Sequence, residues 1–254
     1  MSADPPGPAV RRPDQVPGRA LGPGVTAREL LNDEHGCRGL HQRRLRFAGG
    51  ASLTGTAGGQ GEAWYVITDT GLLDTERHGS VALAPGTALW LEPAADYACQ
   101  AHAGADLEVL AVTVRAGSVA AGPAQPMVRL ADCEAERTGD REFRVLLSEG
   151  LTITQFAGLI PPGRAPAHHH TYDEVVHVLA GRGVVHLSDT GQPSDTVPPS
   201  DTGQPSDRGV EIGAGTSIYL PPYQPHCLEN TGPGPLEVLG VFYPAGSPAA
   251  KQAS

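Results

Sequence analysis

Between Gly163 and Asn230 the chain carries two blocks, Gly163-x4-His168-x-His170-x3-Glu174-x6-Gly181 and Gly215-x5-Pro221-x4-His226-x3-Asn230. On an extended strand residues i and i+2 face the same side, so His168 and His170 can aim two ring nitrogens at one point while His169 turns away. Glu174 can reach that point after a short bend, and His226 must arrive on a separate strand paired nearby. The blocks therefore demand strands joined by long-range pairing, and their three imidazoles and one carboxylate make a candidate metal site. Such a donor set suits one divalent transition metal, Fe(II), Mn(II), Ni(II), Cu(II) or Zn(II), and a six-coordinate ion keeps two positions open for water, O2 or substrate. The structural alternative is a solvated histidine loop, with His226 a satisfied core residue.

The two blocks resemble the paired motifs of the cupin superfamily, and residues 160–181 read like a first cupin motif almost throughout. Two departures stand out. Gly163 and His168 are one residue closer than the family spacing, and Tyr223 stands where the family usually has Gly, a position that favours positive φ. The Pro221-Pro222 pair before it can reshape that turn. The resemblance implies an all-β fold of two tandem double-stranded β-helix, or jelly-roll, barrels.

Elsewhere the chain agrees with an all-β reading. Its 33 Gly and 24 Pro in 254 residues, with 39% hydrophobic content, favour many turns and short strands over long helices. A formal charge of −10 with no basic stripe argues against nucleic acid or an anionic membrane as partner. Cys37, Cys99, Cys133 and Cys227 are scattered without a C-x-x-C pair and read as free thiols of a reducing compartment, Cys227 as a core thiol facing away from His226. With no apolar leader and no run long enough to span a bilayer, a cytoplasmic protein is expected. The abundance of Ala, Gly, Pro and Arg looks like a GC-rich bacterial coding sequence.

Residues 1–44 read as an arm, loosely ordered to about residue 24, with a short helix started by the capping-box spacing Thr26-Ala-Arg-Glu29. Residues 45–121 hold short apolar runs at barrel-like spacing, residues 122–142 a Pro-containing charged linker, and residues 143–248 the motif-bearing barrel. The first barrel looks like an eroded copy of the second. Setting Glu62 against Glu174 puts Thr56 and Gly58 where His168 and His170 stand, and setting Gly86–Glu92 against Gly215–Pro221 puts Tyr97 at the place of His226. A lone Glu62 does not hold a divalent ion, so the first barrel is expected to be metal-free. Within residues 188–207 the tract Ser188-Asp-Thr-Gly-Gln-Pro193 recurs at Ser200, with almost no apolar content, and reads as a disordered loop without chemistry.

Three functions fit this reading. Resemblance to quercetinase-like cupin dioxygenases implies an oxidoreductase, with Fe(II) the first choice of metal, acting on a small enol, phenolic or carbonyl-containing molecule. Glu174 would then be both ligand and general base, and Arg164, Tyr172, Tyr219, Tyr223 and Phe156 would line the substrate pocket. The second is a non-redox isomerase, cyclase or lyase using Zn(II) or Mn(II) as Lewis acid. His177 and His186 enter there only by proximity, and strand parity sets His177 opposite Glu174. The third is a small-molecule-binding protein without turnover. Family habit offers a homodimer, and two barrels in one chain equally suit a monomer.

Overall fold

Short apolar runs bounded by Gly and Pro become strands throughout the computed structural model, which describes residues 7–117, 122–123, 125–188, 207–249 and 252–253. Among these residues the only helical pieces are three 3-10 turns, Pro13–Gln15, Asp33–His35 and Leu130–Asp132. Each half of the chain is a jelly roll of two sheets. In the first half a seven-stranded sheet runs in the order Met127–Arg129, Thr87–Leu91, Glu62–Thr68, Leu107–Val114, Leu40–Phe47, Val25–Leu31, Arg19–Gly22. Its second sheet is Ser52–Thr56, Asp96–Ala101, Gly71–Thr75, Gly79–Leu83.

The second half repeats this plan. Ser217–Leu220, Asp173–Ala180, Leu236–Tyr243, Thr154–Ile160, Arg141–Leu147 and Glu136–Thr138 form one sheet, and Asp207–Gly213, Arg182–Ser188, His226–Asn230, His168–His169 and Gln252–Ala253 the other. Registers match across the repeat. Glu62 lies opposite Leu91 and Thr113, as Glu174 lies opposite Leu220 and Phe242.

Strand parity divides the apolar residues between two kinds of core. In Leu107–Val114, Leu107, Val109 and Ala111 pack inside the first barrel with Trp64 and Phe47, whereas Leu110, Val112 and Val114 face the other way. In the second half Val176, Val178 and Val238 fill the barrel, and Val175, Leu239 and Val241 turn outward. The two outward sets meet, with Leu30, Leu31, Leu40 and Tyr219, in one buried cluster joining the halves. Strands buried on both faces read as continuous apolar runs, which explains Val238-Leu-Gly-Val-Phe242.

Three expectations for the first 142 residues change. Thr26–Leu31 is strand, not helix: its alternation buries Val25 and Ala27 while Thr26 and Arg28 stay exposed, and this period-two burial overrides the local capping spacing. The arm is docked, since Ala9–Arg11 pairs antiparallel with Ser217–Tyr219 of the second half and Arg19–Gly22 with Val25–Ala27. The charged linker also contains strands, Met127–Arg129 on Thr87–Leu89 and Glu136–Thr138 on Arg141–Phe143. The repeat tract at 189–206 lies outside the described residues.

Candidate metal centre

His168 sits directly opposite His226 in the antiparallel pairing of their strands, and His170 follows where the first of these strands ends. One ligand nitrogen from each of the three buried rings can be chosen so that all lie within 4.8 Å of one another. Backbone carbonyls fix two of the rings: His168 Nδ1 is 3.2 Å from Pro166 O, and His226 Nδ1 is 2.9 Å from Gln224 O. A proton on Nδ1 donated to a carbonyl leaves Nε2 with its lone pair turned to a metal. Burial, and then the neighbouring His168, hold His226 down at about 3, so this imidazole is neutral at pH 7, as a ligand must be.

Glu174 comes from the start of Asp173–Ala180, on the same strand face as Val176 and Val178. Its Oε2 stands 3.6 Å from His170 Nε2 and 3.8 Å from His226 Nε2, is buried, and receives no hydrogen bond from the described residues. A carboxylate oxygen in that state is free to ligate an ion. Burial pushes the Glu174 carboxyl up to about 8, with the charge of Arg141 opposing. Two imidazoles with fixed tautomers, a third ring beside them and a carboxylate oxygen lacking a donor together fit a divalent ion.

These groups face a cavity of about 70 Å³ whose apolar wall includes Phe143, Phe156, Val238 and Phe242. Of the five expected pocket residues only Phe156 lines it, its ring 4.7 Å from that of Phe242. The Phe156 ring needs Gly240 opposite, where a Cβ would fall 2.2 Å from it. Tyr172 lies behind the site, stacked on His170 at 4.9 Å and 12°, and donates its hydroxyl to Ser247 O. Tyr219 is in the cluster between the halves, donating to Asp173 Oδ1 at 2.6 Å. Tyr223 is 61% exposed and outside the cavity. Arg164 is exposed too, its Nε donating to Cys227 Sγ. Such side chains are not directed by composition or nearness in sequence, and strand parity and turn geometry sent four of the five elsewhere.

His177 faces away from Glu174, buried, with Nδ1 2.9 Å from Ser217 Oγ, and His186 lies 2.7 Å from Glu229. The residue missed by sequence reasoning is Arg141, which lines the cavity. Its signal was the alternation Arg141-x-Phe143, which sends both side chains to one face of the strand.

The Cupin family model matches residues 138–252. Among solved structures, a mutant of Bacillus subtilis oxalate decarboxylase superposes with TM-score 0.73 at 16% identity, covering 96% of this chain and 78% of the other. Protein YlbA of Escherichia coli gives 0.75 at 13% identity, covering 95% and 93%. The Lactobacillus farciminis oxalate decarboxylase formate complex gives 0.72 at 14% identity, covering 92% and 85%. Residues 138–252 thus match the Cupin family, and the whole chain shares the two-barrel fold of these structures. In sequence it is 32% identical over 76 residues to the uncharacterized protein MJ1618 of Methanocaldococcus jannaschii, a match spanning 30% of this chain and 46% of that protein.

The carboxylates of the two barrels have different surroundings. In the first barrel Glu62 accepts from Arg43 Nη2 at 2.8 Å, from Trp64 Nε1 at 2.7 Å and from Thr113 Oγ1 at 3.1 Å. Arg43 pairs with Ala111 and Phe156 with Gly240, so by register Arg43 and Thr113 occupy the places of Phe156 and Phe242. The first barrel thus supplies its carboxylate with a guanidinium from within the chain. In the second barrel aromatic carbon stands there, and Glu174 is left facing the histidines.

Proposed function

We propose that this chain is a bicupin enzyme that holds one divalent transition metal at His168, His170, His226 and Glu174 and transforms a small enol, phenolic or carbonyl-containing molecule, with dioxygenase-type oxidation as the leading reaction. The observation that carries this is the convergence of three buried imidazoles and a carboxylate oxygen without a donor on an apolar cavity. A redox-active ion such as Fe(II) would bring O2 chemistry to that cavity. The backbone carbonyls of Pro166 and Gln224 orient His168 and His226, and Glu174 can hold or accept a substrate proton at Oε2. The phenylalanine wall excludes bulk water, which strengthens polar contacts made inside. At about 70 Å³ the cavity is far below the ~300–1,000 Å³ that encloses a drug-sized ligand, which favours a compact substrate over a multi-ring one.

A non-redox lyase is the second reading, supported by the fold shared with an oxalate decarboxylase for which Mn(II) centres are described. The same proposal makes the first barrel, with Glu62 neutralised by Arg43, a metal-free partner in packing. The protein is proposed to act in the cytoplasm as a monomer or homodimer, and no described helix is long and apolar enough to cross a membrane. Oxygen consumption with small enols and catechols, run on protein loaded separately with iron and manganese, tests the oxidative reading. Turnover of a substrate without O2 uptake would replace it with the lyase reading, and binding without turnover would replace both.

A further inference from the structure

Among the described residues Arg141 is the one Lys or Arg side chain that lines the cavity. It opens the strand Arg141–Leu147, outside both sequence motifs, and the chemistry argued above assigns it no role. Its Nη2 is buried and has no hydrogen-bond partner among the described residues. Neither neighbouring acid satisfies it: Glu142 Oε1 pairs with Arg144 at 2.9 Å and Glu142 Oε2 lies 3.7 Å from Arg137, while the exposed Asp140 acts on Arg141 only through its charge. Glu174, the other acid of the cavity, feels the charge of Arg141 but makes its near contacts with His170 and His226. The contrast with the first barrel is direct, because Arg43, also inside a barrel, is matched by Glu62 at 2.8 Å.

A guanidinium N–H held away from water without an acceptor is costly, and the cost is recovered when an acceptor arrives. The planar fork of Arg fits a carboxylate, and charge-assisted hydrogen bonds of this kind are about twice as strong as neutral ones. The surrounding phenylalanines and Val238 supply no competing acceptor. We infer that Arg141 anchors the carboxylate of the substrate, so that the cavity takes a small organic acid bearing a second oxygen donor directed at the three histidines. This inference rests on the metal-centre reading for the second donor only; the carboxylate contact belongs to Arg141 itself.

Glycolate is a suitable probe, since it carries a carboxylate and a hydroxyl oxygen, and glycolamide is its uncharged counterpart. Calorimetric titrations of both are compared for wild type, Arg141→Gln and Arg141→Lys, each in metal-free and zinc-loaded form, with zinc content and circular dichroism recorded on the same samples. Glycolate is expected to bind wild type more tightly than glycolamide. Arg141→Gln should lose roughly 10- to 100-fold in glycolate affinity at unchanged zinc content, as expected for lost charge-assisted bonds, with Arg141→Lys in between and glycolamide indifferent to both. In the metal-free protein glycolate should bind more weakly yet still depend on Arg141. Equal affinity of wild type and a folded Arg141→Gln for glycolate, equal binding of the two probes, or no glycolate binding to wild type would overturn the assignment. Failure of wild type to take up zinc would count against the metal centre instead, with the metal-free titrations still deciding for or against Arg141.

Discussion

At the scale of single residues, Glu174, His177 and His226 set the response to pH. Burial raises Glu174 from 4.5 to about 8, so the folded apo protein holds a proton there that the unfolded chain has released, and apo stability falls as pH rises towards 8. Burial lowers His177 and His226 from 6.5 to about 3, so the unfolded chain takes up protons that the folded one refuses, and stability falls as pH drops below 6.5. Two histidines outweigh one carboxyl between 4.5 and 6.5. The metal-free protein should therefore be most stable near pH 6.5, and denaturant midpoints measured across pH check this. Metal must displace the Glu174 proton, so affinity should rise by about tenfold per pH unit up to about 8 and then level off, with a proton released on metal addition in weakly buffered solution. Adding a saturating metal should remove the alkaline loss of stability. The convergence of His168, His170 and His226, with Glu174 beside them, was legible in the sequence because their spacing already encodes strand geometry. Arg141 was not, because a cation in a charged stretch looks solvated until the parity set by Phe143 turns it inward.

At the scale of elements, one turn and one strand pair make sharp tests. Tyr223 has φ of 64°, the left-handed region, and its backbone N–H donates to His170 O at 2.7 Å, so the turn that precedes His226 keeps its shape despite lacking the usual Gly. The Tyr223→Gly variant should be more stable by about 1 kcal/mol, read from urea midpoints, because the left-handed conformation costs a side-chain-bearing residue roughly that much. In the first barrel, Arg43→Ala leaves the buried Glu62 without its cation and should cost about 3 kcal/mol, the lower end for breaking a buried pair. The same measurement with Arg43→Ala and Glu62→Gln combined should recover part of that loss. Element type was readable where alternation was clear. Thr26-Ala-Arg-Glu29 misled because a capping-box spacing is a local signal, whereas the burial of Val25 and Ala27 against Leu45 and Phe47 is decided by pairing with a separate strand, Leu40–Phe47.

At the scale of the whole molecule, the cluster between the halves, built from Leu30, Leu110 and Val112 on one side and Val175, Tyr219 and Val241 on the other, couples the barrels. Thermal unfolding followed by calorimetry should give one cooperative transition for the metal-free chain. The strand Ala9–Arg11, crossing from the first half to pair with Ser217–Tyr219, adds a second link that composition could not reveal, since an isolated three-residue strand has no periodicity of its own. The internal repeat was visible from Glu62 and Glu174, but its asymmetry depends on what surrounds each carboxylate, a property of tertiary contacts between strands distant in sequence. The second barrel is proposed to hold a single metal centre. Elemental analysis of untagged protein purified without chelators, beside His168→Ala, His170→Ala and His226→Ala, tests it most directly. About one equivalent of a divalent transition metal in wild type, falling to near zero in each folded variant, is the predicted result; full metal content in all three variants, or none in wild type after metal reconstitution, would contradict it.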